Sequence, residues 1–221
     1  QLYGMEQPTK ESSLLEAENI GGLPKELQDR ITQTAIASSN NLDEAISTIK
    51  KLSTSFGVRY DKLFSNLDDF TKLVHKLADK FNMSTIEVAK PFKTPISMKY
   101  DNLTFRAKER INDWNASWVS GSIDDKKKRL YDIFNQLIQE GLDVNMTYDY
   151  NSLLTHITSL IRSPLLVKLL LNAGANPYYK DHEGKTTLDW TRYASSSPWL
   201  SFEERVNYAA IIQLLEEAMQ K

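Results

Sequence analysis

Apolar residues recur at three- and four-residue intervals along most of the 221-residue chain, a period that predicts helices almost throughout. In LPKELQDRI, Pro24 can open a helix on which Leu23, Leu27 and Ile31 stand four apart on one side. Beyond Asn40 and Asn41, residues Leu42, Ala45, Ile46, Ile49 and Leu52 trace a second stripe. Asp43 and Glu44 lie early in it and Lys50 and Lys51 late, both suited to the helix dipole. LDDFTKLVHKLADKF repeats the logic, with Leu67, Phe70, Leu73, Val74, Leu77 and Phe81 inside. Ser84 and Glu87 form a capping box for a short fourth helix, and Pro91 and Pro95 close the segment.

The stretch PFKTPISMKYDNLT has two prolines and no clear period, which places a linker at 95–103. Residues 21–94 therefore read as a helical head and 104–221 as a second region. The second region opens with a helix carrying Trp114 and Trp118. The next runs through Leu130, Phe134, Leu137 and Ile138 and ends at Gly141, where a left-handed residue suits the position after a helix. Ser163 and Pro164 start a leucine-rich helix that Gly174 stops; a polar run through Gly184 leads to another helix beginning at Thr186. Gly141 and Gly174 are 33 residues apart, and repetition at a fixed period of that size marks a stacked array. Ser201 and Glu204 form a capping box for the last helix. Residues 1–20, rich in Glu, Ser and Thr without a period, read as a disordered leader, and Gln1 in place of a starting Met marks a processed or trimmed chain.

Composition narrows the chemistry. With 27 basic and 29 acidic side chains the net charge is −2, so no global field favours nucleic acid or an acidic membrane. The absence of cysteine excludes disulfides, thiolate zinc sites and cysteine nucleophiles in this chain, including the cysteine transfer step of some ubiquitin ligases. No apolar run approaches the roughly 20 residues that span a bilayer, so the chain reads as soluble, with its compartment open.

The segment KLLLNAGANPYYKDHEGKTTLDW resembles an ankyrin repeat. Lys168 to Leu171 match the inner face of its second helix, Ala173, Gly174 and Ala175 the "G-A-D" turn, and Asp181, Gly184, Thr186 and Leu188 the "D-x-x-G-x-T-P-L" run. Asn176, Thr187 and Asp189 depart from the pattern. In the preceding unit two registers are open: Asn151 in the glycine role, or a one-residue gap with Ser152, Leu153 and Leu154 on "T-P-L". The resemblance implies an all-α fold with about three repeats, two of them degenerate, the ends serving as caps. GGLPKELQDRI followed by LSTSFGVRYDKLF resembles an F-box, through Leu23, Pro24, Glu26, Leu27, Ile31, Leu52, Ser53 and Leu63. The combined layout is similar to ankyrin proteins of bacteria that live inside eukaryotic cells, which implies a host cell as a place of action. It implies a head that docks on the Skp1 adaptor of a cullin ubiquitin ligase through Leu23, Pro24, Leu27 and Ile31. The repeats then hold a target protein on their concave face. A plain ankyrin scaffold with a structural cap for a head is the alternative.

No P-loop, G-x-S-x-G, H-E-x-x-H or dinucleotide motif occurs, so neither an enzyme nor a cofactor or metal is expected. His75 and His156 read as structural, and the KKKR run after Asp125 as a solvated helix face. At the hairpin tips stand Tyr148, Tyr150, Tyr179, His182 and Glu183, the expected contact residues, because tyrosine is enriched where interface energy concentrates. Tyr178 and Trp190 are expected to pack between repeats.

Overall fold

A computed structural model describes residues 24–64, 66–116 and 122–220. The disordered-leader reading of 1–20, the docking residue Leu23 and Trp118 lie outside them. The described residues are mostly helical, with a single two-stranded pairing among them. They fall into two compact units: the residues up to Met83 with Lys90–Met98, and Ser84–Ala89 with those from Lys99 onward.

In the first unit, α1 (Lys25–Ser38), α2 (Leu42–Ser55) and α3 (Leu67–Phe81) pack around one apolar core. Each start is fixed by a short polar side chain. Asn41 accepts from the Glu44 N–H at 2.9 Å while Glu44 accepts from the Asn40 N–H at 2.8 Å, and Asn66 accepts from the Asp69 N–H at 2.8 Å. Such bonds satisfy donors that a helix's first turn leaves unpaired. The stripe read from the sequence is the buried one: Ile46, Ile49, Phe70, Leu73, Val74 and Leu77 are all buried. Phe92 returns to this core and meets Phe70 edge to face, centroids 5.3 Å apart at 87°, an arrangement the ring quadrupoles favour.

Two boundaries differ from the sequence reading. The segment 95–103 is helical: it lies in α5 (Pro95–Ala116), whose start is tied by reciprocal bonds in which Thr94 and Ser97 exchange backbone N–H and hydroxyl partners at 2.8 and 3.1 Å. Proline is tolerated in a first turn, where its missing N–H has no partner to lose, so Pro95 opens a helix here. The short helix α4 (Thr85–Ala89) belongs to the second unit rather than to the head. Thr85 and Thr147 hold it there by reciprocal N–H to hydroxyl bonds of 3.0 and 2.9 Å.

The second unit is built from paired helices. α6 (Ile123–Gln139), α8 (Pro164–Asn172) and α10 (Phe202–Met219) pack in series, and α7 (Leu153–His156), continued by a π-helical stretch Ile157–Ile161, packs with α9 (Thr187–Ser195). α9 in turn packs on α10. Ser152, Ser163, Thr186 and Ser201 each cap the helix that follows, and Thr186 and Ser201 complete capping boxes with Asp189 and Glu204. Gly141 and Gly174 leave α6 and α8 at φ +100° and +92°, a region other residues seldom adopt. The amide of Asn145 joins the two helix ends, donating to the Gly174 carbonyl at 3.0 Å and accepting from the Asn176 N–H at 2.7 Å.

Ser152 stands before α7 as Thr186 stands before α9, and it accepts from the Thr155 N–H at 3.2 Å. The turns that precede these two caps differ in length. Strands β1 (Thr147–Tyr148) and β2 (Asn151–Ser152) are joined by Asp149 and Tyr150 alone, both at positive φ, whereas the Lys180 to Thr186 bridge closes a longer turn. Two positive φ values suit the twist of a two-residue hairpin, at a cost in strain for a bulky residue such as Tyr150.

Candidate functional site

A cleft of about 480 Å³ opens in the second unit between the hairpin tips and the α7/α9 layer. Its floor is a set of hydroxyls, from Thr155 and Ser159 on one helix and Thr187 and Thr191 on the next. These groups are already occupied by the fold. Thr155 and Thr187 hydroxyls meet at 2.7 Å, and Ser159 and Thr191 donate to the carbonyls of Thr155 and Thr187 at 2.8 and 2.7 Å. Hydroxyls that bond back to their own helix present mostly methyl and methylene surface outward. The floor is therefore smooth and weakly polar.

The walls are aromatic. Trp190 and Tyr193 stand edge to face with centroids 6.1 Å apart, and Tyr208 closes the end nearest α10. The tip loop fixes Trp190. Asp181 accepts from the Glu183 and Lys185 N–H groups through Oδ1, at 2.8 and 3.0 Å, and from the Trp190 indole N–H through Oδ2. Burial alone would raise the Asp181 carboxyl, but the bonds from Trp190, Lys185 and Glu183 hold it below its ordinary value. Across the indole, the Lys185 ammonium lies 4.2 Å from the ring centre and 3.0 Å from the Glu183 carboxylate, a cation on an aromatic face.

The expected tip residues separate into two groups. Tyr150 and His182 are exposed and face one another at 5.2 Å; Glu183 is exposed and paired with Lys185, and Tyr179 is half-buried. Tyr148, expected as a contact, is only 3 % exposed. Its ring stacks on His156, centroids 3.9 Å apart at 10°, under the Lys108 ammonium at 4.9 Å. The reason is the short turn: pairing ends at Tyr148, which turns inward while Tyr150 takes the apex. Trp190 is half-buried and lines the cleft, and Tyr178 is exposed with its hydroxyl donating to the Met219 carbonyl.

On the head, Ile31 is 1 % exposed and belongs to the core of the first unit, which removes it from any docking face. Pro24 and Leu27 are half-buried. Sequence reasoning missed Tyr193 and the hydroxyl floor. A signal was present: Thr155 and Ser159, and Thr187 and Thr191, are two pairs at helical spacing four, offset from each other by the same interval. Outside the cleft, Trp199 just before α10 and Phe202 and Val206 in its first turns are exposed.

His156 is a half-buried structural group, its Nε2 3.1 Å from the Tyr148 carbonyl. Burial lowers its pKa, against the raising effects of that carbonyl and of Asp149, with Lys108 adding to the fall. The unfolded chain thus binds the proton more readily than the folded one. Stability is complete above the unfolded value of about 6.5 and declines as the pH falls below it. Urea midpoints at pH 8 and pH 5 are expected to show this decline, and His156→Gln to reduce it; an equal decline in the variant would place the titration elsewhere.

Among the described residues, no group of three His, Cys, Asp or Glu side chains is placed to hold a metal ion, and no helix is long and apolar enough to cross a membrane. No family model matches the chain. No solved structure matches it significantly. It is similar to the E3 ubiquitin-protein ligase hecd-1 of Caenorhabditis elegans, 41 % identical over 87 residues. The match spans 39 % of this chain and only 3 % of that protein.

Proposed function

We propose that the protein is a non-catalytic recognition module in which the second unit is a short ankyrin array that holds a segment of another protein in its cleft. The ankyrin reading is supported by the paired helices, the threonine or serine cap at each repeat's first helix, and the positive-φ glycines at Gly141 and Gly174. The observation that carries the recognition reading is the cleft itself. Its walls are rings and methyl groups, and its hydroxyls and the Asp181 carboxylate are bound to the fold, so that it offers contact area rather than an acid and base poised on a reacting atom. Tyrosine and tryptophan walls suit a partner segment, each anchor contributing about 2 kcal/mol or more where it is fully desolvated.

A role in ubiquitin ligation is the finer proposal. It draws on the F-box-like LPKEL segment and on the similarity to a ubiquitin ligase over part of the chain. With no cysteine, this chain would serve such a ligase by bringing a target rather than by carrying ubiquitin as a thioester. Co-expression with Skp1 tests it. A Skp1 complex is expected, with Leu27→Asp folded by circular dichroism and released from it. No complex with the unaltered chain, or loss of fold in Leu27→Asp, would leave the second reading, a scaffold whose head is structural. That second reading is favoured by one observation, the burial of Ile31 in the head's own core.

A further inference from the structure

The carboxylates that line the cleft are those of Asp181 and Glu183, and its cations stand on its aromatic walls, Lys185 over the Trp190 ring and Arg162 over the Tyr208 ring. The same cleft is lined by Trp190 and Tyr193, whose faces carry the negative side of the ring quadrupole, and by a floor of threonine methyl groups. Carboxylates, π faces and aliphatic surface together match a side chain with an apolar stem and a cationic head. The chain already shows the preference in its own use of the site: the Lys185 ammonium sits over the Trp190 ring at 4.2 Å with Glu183 at 3.0 Å.

We infer that the cleft recognises a basic side chain, arginine or lysine, of an extended peptide, and that Lys185 holds part of the cation site until the peptide arrives. This inference rests on the recognition reading above and narrows it to a class of ligand. A volume of about 480 Å³ exceeds one side chain and admits flanking backbone as well. Arginine is the better of the two occupants: its planar guanidinium stacks on rings, and its charge is matched by the Asp181 and Glu183 carboxylates. Lys185 opposes entry in two ways, by covering the Trp190 face and by repelling a like charge.

The test is selection of a random heptapeptide display library on the full chain, with Tyr193→Ala and Glu183→Gln as counter-targets. Tyr193 is 74 % exposed and Glu183 is also exposed, so both variants should fold. Enrichment of arginine- or lysine-containing peptides that bind either variant at least tenfold more weakly is the expected result, and the ratio of the two residues says which head group fits better. Lys185→Gln should bind the selected peptides several-fold more tightly. Cleft-dependent peptides of acidic or neutral character would overturn the cation inference and leave the recognition reading intact, as would weaker binding by Lys185→Gln. Absence of any peptide sensitive to Tyr193→Ala would overturn both.

Discussion

Leu170→Ala is expected to destabilise the second unit by about 2 to 5 kcal/mol, the range for removing a leucine side chain from a packed interior. Leu170 is fully buried on α8, the helix that packs against both α6 and α10. Its removal opens a hole where two helix interfaces meet. The backbone there cannot readily collapse into the void, because Ser163 caps one end of α8 and Gly174 with the Ala175 to Leu170 bond of 2.9 Å fixes the other. Urea denaturation followed by far-ultraviolet circular dichroism measures the loss. A shift of less than about 1 kcal/mol would mean that α8 is not the central element of the stack. Because the two units have separate cores, the same substitution should leave the first unit's transition in place, which resolves as a second step if they unfold independently.

Asp181→Ala is expected to act on both stability and shape. One carboxylate accepts from two backbone N–H groups and from the Trp190 indole, and bonds to a charged acceptor are stronger than neutral ones. Partial exposure limits the loss to roughly 1.5 to 3 kcal/mol. The larger consequence is for the cleft, since Trp190 loses its anchor and Lys185 its neighbouring turn. Asp181→Asn separates the two effects: its amide oxygen can still accept from the Glu183 and Lys185 N–H groups, while its amide hydrogens cannot pair with the indole N–H. Asn is therefore expected to retain most of the stability yet change the Trp190 indole signal in a proton–nitrogen NMR spectrum. An unchanged indole signal in both variants would show that packing alone orients the ring.

The capping pattern explains why so much of the second unit was readable in advance. Ser163, Thr186 and Ser201 stand immediately before apolar helical runs, and each accepts from an N–H three residues on. A cap is local chemistry, decided within four residues. Gly141 and Gly174 are equally local, because only a residue without a Cβ enters φ near +90° at low cost. The segment 95–103 shows the same logic inverted: Pro91 and Pro95 read as breakers in the sequence, but Thr94 and Ser97 supply the bonds that let Pro95 begin a helix.

The candidate site was legible only in part. Tyr150, His182 and Glu183 could be placed at turns because Asp, Gly and charged residues mark turns in a sequence. Nothing local distinguished Tyr148 from Tyr150, although one is buried against His156 and the other is exposed. Tyrosine serves core and surface alike, and the length of the turn, a long-range matter of register, chose between them.

By itself the sequence determined most of the helices, several of their caps and the side each buries, since those follow from residue period and from side chains a few positions away. Tertiary structure alone decided the cleft. Thr155 meets Thr187 across 32 positions of chain, and Trp190 faces the hydroxyl floor because Asp181 pins its indole from the neighbouring turn. Periodicity tells a helix which face is apolar, not which neighbour will cover it or which face will be left open. That choice was made by packing.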